Sequence, residues 1–187
     1  MVPNEKLDAF YKLYVDLIEK HKIMPVLTEK QGPFAPVVVD FDYKFTVDKT
    51  SRQFDLALIS EVAVAYVNCF QTYLQLQERQ ADCFVFLKPA PYQPFDNKGN
   101  LKDQVKNGFH LMWPFLRCSA ALKHLARLHV IENCTDVIMS VDPNNTLDDI
   151  VDTAVIDRNN WFKKSLWLLP LTWRLAGGAF APEIIKR

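Results

Sequence analysis

The sequence lacks any excess of charge of one sign. Its 187 residues carry 22 Lys and Arg against 22 Asp and Glu, a formal net charge of zero. That balance excludes a basic coat of the kind that binds nucleic acid non-specifically. A local basic groove is still allowed, because electrostatic steering depends on how charge is distributed. Paired cysteines are missing too. Cys69, Cys83, Cys118 and Cys134 form no C-x2-C unit, and no histidine stands at ligand spacing from them. No structural zinc is therefore expected. Scattered single cysteines fit buried free thiols in a reducing, intracellular compartment. No apolar run follows a basic start, which argues against a signal peptide. No stretch approaches the roughly 20 apolar residues that span a bilayer, so no membrane partner is expected. There is no internal repeat, low-complexity run or clear linker. What is present is ordinary for a globular protein: 49% hydrophobic and 24% charged residues, enough for one domain over residues 1–187.

Along the chain, helices alternate with short apolar strands, which predicts an α/β or α+β domain. Residues 5–22 read as an amphipathic helix with Leu7, Phe10, Tyr11, Tyr14, Leu17 and Ile18 on one face, stopped by Pro25. Leu27-Thr28-Glu29-Lys30 reads as a short strand. Residues 36–42 form a strand, and residues 54–79 a long helix with Phe54, Leu58, Val62, Ala65, Cys69, Tyr73 and Leu76 inward. Cys83 to Leu87 is a buried strand, and Pro91 to Leu101 a loop with turn chemistry at Asn97-Lys98-Gly99-Asn100. Gly108 to Phe115 is a third strand. Residues 118–132 form a helix with Leu122, Leu125, Ala126 and Leu128 inward. Val137 to Val141 fits a strand or a buried helix end, and Asp148 to Ile156 fits helix or strand. The tail from Asn159 is rich in tryptophan.

The stretch Val37-Val38-Val39-Asp40-Phe41-Asp42 carries the most chemical information. Residues two apart on a strand share a face. An apolar run should bury this strand and let both carboxylates emerge together at its end. Like charges side by side repel, and a hard cation such as Mg²⁺ or Mn²⁺ reverses the sign of that interaction. Metals held this way commonly handle phosphates. The pair by itself is equally compatible with a solvated strand end, a sugar-nucleotide transferase, or a dehalogenase-type phosphatase using Asp40 as nucleophile and Asp42 as acid.

Three further groups bear on the choice. His110 sits within an apolar strand and reads either as a satisfied core histidine or as a donor to a phosphate oxygen. Gly108 allows close approach of a backbone or ligand, and Lys106 offers a point charge for phosphate. Asp152 lies between Ile150-Val151 and Ala154-Val155, where a carboxylate needs a partner; a cation shared with Asp40 and Asp42 would supply one. Downstream, Arg158, Lys163 and Lys164 flank Asn159-Asn160-Trp161 and read as a solvated face or as contacts to a triphosphate or template.

Val39-Asp40-Phe41-Asp42, Gly108-Phe109-His110 and Val151-Asp152, in this order, resemble the archaeo-eukaryotic primase superfamily, whose pattern is apolar-D-x-D/E, small-x-H and apolar-D. From Asp152, Val155, Asn160 and Lys164 also fall where eukaryotic primase small subunits place Val, Asn and a basic residue. The segments Leu27–Lys30, Pro36–Asp42, Gly108–Pro114, and Asp152–Val155 followed by Asn159-Asn160-Trp161, look like the N-terminal primase domain of poxvirus-type primase–helicases. The Gly-Ser turn that usually follows Asn-Asn-Trp in viral relatives is replaced by Phe162-Lys163-Lys164-Ser165.

The resemblance implies an archaeo-eukaryotic primase fold, with an N-terminal α/β unit packed on an RRM-like antiparallel sheet and the active site between them. It implies a DNA-dependent primase or primase–polymerase that builds primers from NTPs or dNTPs on single-stranded DNA. Asp40, Asp42 and Asp152 would hold two divalent cations, Mg²⁺ or Mn²⁺. His110, Lys106, Arg158 and Lys164 would bind nucleotide. A helicase domain would follow in a longer chain, and a viral protein would work in host cytoplasm or nucleus at replication sites. A catalytically vestigial nucleic-acid-binding module is the non-enzymatic alternative.

Overall fold

The computed structural model describes residues 4–21, 33–88, 90–151 and 181–185. A 3-10 turn at Asn4–Lys6 leads into helix α1, Leu7–His21, which buries Tyr14 and Ile18 and leaves Tyr11 exposed. Strand β1 covers Phe34–Phe45 and helix α2 Leu56–Tyr73. Strand β2 covers Cys83–Leu87, and the long strand β3 Val105–Ser119. Helix α3 runs Ala120–Val141, helix α4 is a single turn at Leu147–Ile150, and strand β4 covers Ala181–Ile185. The expected strand at Leu27–Lys30, like Pro25, lies outside the described residues.

The four strands form one antiparallel sheet in the order β1-β3-β2-β4. Helices and antiparallel strands together give the mixed α/β architecture expected. Alternation along the strands assigns the two faces. Val37, Val39, Phe41 and Tyr43 of β1, Val85 and Leu87 of β2, and Phe109, Leu111 and Trp113 of β3 join the buried faces of α2 and α3 in one core. Stacked rings at Phe41 and Phe109, with centroids 4.6 Å apart, close the middle of it. The other face of β1 carries Asp40, Asp42 and Lys44.

Both long strands exceed their sequence-based limits. β1 continues past the carboxylates to Phe45, and β3 starts at Val105 because Lys44 and Phe45 pair with Lys106 and Val105. The aspartates thus sit within the ladder, not at the strand end. β3 also runs on through Pro114. The register shifts between Pro36, paired with Arg117, and Val37, paired with Trp113. The extra residues put Pro114 in a bulge, where a missing N–H costs no ladder bond. Burial accordingly switches from odd positions up to Trp113 to even ones at Leu116 and Cys118.

The helices differ from expectation in phase. α2 starts at its N-cap Asp55, whose carboxylate accepts the Leu58 N–H, and ends at Tyr73, where Leu74 turns extended. Its buried stripe includes Ile59, Ala63, Tyr66, Val67 and Phe70, while Tyr73 is exposed. α3 takes in Val137–Val141 as its last turns. It leaves Leu125 and Leu128 in solvent and buries Lys123, Ala126, Arg127, Val130, Cys134 and Ile138. All four cysteines are buried and unbridged, as expected; burial pushes the Cys83 thiol up to about 12. No helix among the described residues is long and apolar enough to cross a membrane.

Candidate active site

Strands β1 and β3 bring two of the three predicted stations together. Asp40 is the cross-strand partner of His110, and Asp42 of Gly108. Residues directly opposite on one face have their Cβ atoms about 5 Å apart, so the pairing aligns the D-x-D with the G-x-H. His110 Nε2 lies 3.2 Å from Asp40 Oδ1, and Lys106 Nζ donates to Asp42 Oδ2 at 3.0 Å. Asp40 is only 8% exposed.

Gly108 is required by a close approach. A Cβ there would stand 2.0 Å from the Phe41 carbonyl oxygen, a collision with backbone. The residue that frames the histidine motif is therefore what lets β1 and β3 come together at the carboxylates. The approach is of backbone, one of the two readings the sequence left open.

The electrostatics of the face follow from its burial. Desolvation holds the His110 imidazole well below its ordinary range, and the positive charge of Lys88 adds to the effect. His110 is thus neutral at pH 7, and its approach to Asp40 is not an ion pair. For Lys106, burial pulls the ammonium down, but the charge of Asp42 and its hydrogen bond, with smaller contributions from Tyr92 and Asp40, outweigh it and leave the group raised. Lys106 is a full positive charge at neutral pH.

Two residues that the sequence did not single out belong to this neighbourhood. Lys88 follows β2, acts on His110, and sets its Nζ 4.1 Å from the centre of the Tyr92 ring. Tyr92 forms a reciprocal backbone pair with Lys106, donating at 3.0 Å and accepting at 2.8 Å. Lysine after a strand and tyrosine in a loop are common, and long-range pairing brings them here, Phe86 with His110 for the first and Tyr92 with Lys106 for the second.

The edge of β1 away from β3 meets Val151, the residue before Asp152. Asp142, buried behind α3, accepts the Lys44 backbone N–H at 3.2 Å, and the Asn145 amide donates to both the Lys44 carbonyl and Asp142. After the turn of α4, Val151 forms an antiparallel bridge with Phe41, the residue between the two aspartates. The buried Arg127 fixes that segment: its Nε donates to the Val151 carbonyl at 2.9 Å, and its second amino group to Asp148 at 2.6 Å. Asp148 and Asp149 are first-turn carboxylates of α4, capped by Thr146. Asp152, Arg158, Lys163 and Lys164 lie outside the described residues.

Among the described residues no group of three or more His, Cys, Asp or Glu side chains is arranged to hold a metal. Asp40 and Asp42 are hard oxygen donors that suit Mg²⁺ or Mn²⁺ in kind. They fall short in number, and Lys106 occupies one oxygen of Asp42.

Comparison with known proteins bears on the whole arrangement. The family model of the C962R protein N-terminal AEP domain, AEP denoting archaeo-eukaryotic primase, matches residues 1–162. A protein of Acanthamoeba polyphaga mimivirus, L207/L206, named for a helicase assignment, is 21% identical over 162 residues. The match covers 86% of this chain and 16% of that protein.

Proposed function

The chain belongs to the family of C962R-type N-terminal AEP domains and is a primase-type domain, and from that premise we propose that it makes primers on single-stranded DNA by cation-assisted nucleotidyl transfer. The observation that carries the reading is the bridge between Val151 and Phe41. It sets the residue before Asp152 against the residue between Asp40 and Asp42. Asp152 is the carboxylate that would complete the donor set.

In this reading Asp40, Asp42 and Asp152 hold two divalent cations, Mg²⁺ or Mn²⁺. Bound there, the cations would supply positive charge to the triphosphate and lower the pKa of the attacking hydroxyl. The hydroxyl oxygen of the first nucleotide, or of the primer end, forms a bond to the α-phosphorus. The bond from that phosphorus to the pyrophosphate oxygen breaks, and the hydroxyl proton passes to solvent. Lys106, charged at neutral pH and paired with Asp42, would serve the triphosphate as a point charge. His110, neutral and with its Nε2 against Asp40, would orient that carboxylate and line the nucleotide site without adding charge. Arg158 and Lys164 would add cationic contacts to the triphosphate. The viral setting and a helicase domain in a longer chain belong to the same proposal, motivated by the family and by the name of the mimivirus relative.

Incubation with single-stranded DNA, labelled NTPs or dNTPs, and Mn²⁺ is expected to yield short oligonucleotides. The Asp40→Ala/Asp42→Ala variant, folded by circular dichroism, is expected to lose at least a hundredfold in rate, the scale of losing a metal-based transition-state contact. Equal product from wild type and variant would refute the mechanism. A vestigial site is favoured by one observation, the Lys106–Asp42 pair at 3.0 Å, which neutralises the carboxylate without metal. It predicts no product from either protein. The dehalogenase reading loses ground because the D-x-D lies inside an antiparallel ladder rather than at a strand end.

A further inference from the structure

Residues 90–104 leave the sheet between β2 and β3 as an ordered arm rooted beside the carboxylates. Its base is the reciprocal pairing of Tyr92 with Lys106, and Lys106 is the residue bound to Asp42. Phe95 bridges to Leu101, Lys102 donates its N–H to the Pro94 carbonyl, and the Gln93 amide donates to the Lys102 carbonyl. The tip turns at Gly99, whose φ of 83° only glycine adopts without strain. Asp96 accepts the backbone N–H groups of Lys98 and Asn100, so its charge is spent inside the turn.

This well-braced arm nevertheless holds its large apolar side chains in solvent. Phe95 is 67% exposed, Leu101 56% and Tyr92 43%. Clustered exposed apolar surface marks a binding site more often than chance. Its cationic neighbours indicate the occupant. Lys88, Lys98, Lys102 and Lys106 are interspersed with the aromatic residues along the segment, where Asp96 and Asp103 are the only acidic residues between positions 88 and 106. Lys88 lies over the Tyr92 ring. Aromatic rings interleaved with cations are the recognition chemistry of single-stranded nucleic acid, in which bases stack and phosphates meet ammonium groups. A protein partner would be better served by a wider apolar patch without the lysines. From Tyr92 to Phe95 the backbone reaches at most about 10 Å, the run of about three nucleotides along a strand.

We propose that the 90–104 arm is a stacking platform for single-stranded nucleic acid, with Tyr92 and Phe95 each receiving a base and the interspersed lysines the backbone. The strand would pass from the arm toward Lys106 and the carboxylates. The use of that strand as template rests on the primase-type reading; the binding itself does not.

The test measures binding of fluorescein-labelled oligothymidylate by anisotropy in EDTA without nucleotide, so that no catalytic cation takes part. Tyr92→Ala and Phe95→Ala are each expected to weaken binding by about 5- to 100-fold, the range of one lost base stack. Tyr92→Phe is expected to retain it. Both side chains are exposed, so melting temperatures should stay within a few degrees of wild type. Alanine variants that bind as well as wild type, or a wild type that does not bind, would overturn the proposal. Self-association in sedimentation that Phe95→Ala abolishes, with oligonucleotide binding unchanged, would overturn it in favour of an interface between copies. Arm-dependent binding without primer synthesis would sink the primase mechanism alone. Aspartate-dependent synthesis with binding indifferent to the arm would sink the platform alone.

Discussion

Burying an imidazole next to an ammonium group leaves a signature in the stability of the protein. In the unfolded chain His110 takes a proton near pH 6.5. In the fold, burial and Lys88 hold it neutral well below that. Between the two pKa values the unfolded state binds more protons, so stability rises with pH in that window and is flat above about 6.5. The slope is bounded by one proton, about 1.4 kcal/mol per pH unit. Urea midpoints measured from about pH 5 to pH 8 should therefore fall on the acid side in the wild type. The His110→Asn variant should show a shallower fall, and parallel curves would show that His110 charges freely in the fold. Gly108 acts at the same scale by a different route, since any larger residue meets the Phe41 carbonyl. Its presence in the sequence already signalled close approach. The neutral state of His110 was not legible, because it depends first on burial in the sheet and then on Lys88, both set by the pairing of β3 with its neighbours.

At the scale of elements, α3 and α4 decide where the chain re-enters the sheet. Arg127 carries that task through its bond to the Val151 carbonyl, and it acts as a positioning residue for whatever follows Val151. Arg127→Lys keeps the charge but loses the planar fork that reaches both Val151 and Asp148. If Asp152 completes a cation site, the Mn²⁺ concentration for half-maximal primer synthesis should rise several-fold in Arg127→Lys. Arg127→Met should rise further and lose about 1–3 kcal/mol of stability, because a buried carbonyl is left unsatisfied. A fall in melting temperature with an unchanged Mn²⁺ requirement would confine Arg127 to a structural role.

The same helix shows what sequence could and could not reveal. A reading by hydrophobic spacing turned α3 so that Leu125 and Leu128 faced inward. The structure buries Lys123 and Arg127 instead, because their charged ends find the Pro36 and Val151 carbonyls. Those acceptors lie 87 and 24 positions away, so no local pattern records them. β1 and β2 were legible because runs such as Val37-Val38-Val39 and Phe84-Val85-Phe86 are strand-like on their own. The extension of β3 to Ser119 was not, since a proline that ends most strands here sits in a bulge.

For the whole molecule, a cation that binds the folded chain and not the unfolded one shifts the global equilibrium by mass action. Millimolar Mn²⁺ at about a hundred times its dissociation constant would add about 2.7 kcal/mol, a rise of several degrees in melting temperature. Wild type should show that rise, and Asp40→Asn/Asp42→Asn should not. The variant also loses the Lys106–Asp42 pair, so the comparison is of each protein's rise with Mn²⁺ and not of its starting temperature. An equal response of both proteins would locate the cation elsewhere.

The ladder between β1 and β3 also governs when the site comes into being. Asp42 and Lys106 are 64 positions apart, and the intervening α2, β2 and arm must emerge from the ribosome before they meet. At about 5–20 residues per second, that is a wait of roughly 3 to 13 seconds. Throughout it the Val37-Val38-Val39 strand has no partner and its edge is open to other nascent chains. Asp40 and Asp42, two repelling charges in the middle of that strand, guard it during the delay, since charge within an apolar strand discourages edge-to-edge pairing. The charges proposed to hold metal in the finished protein are thus also of the kind that disfavours edge-to-edge pairing in the unfinished one.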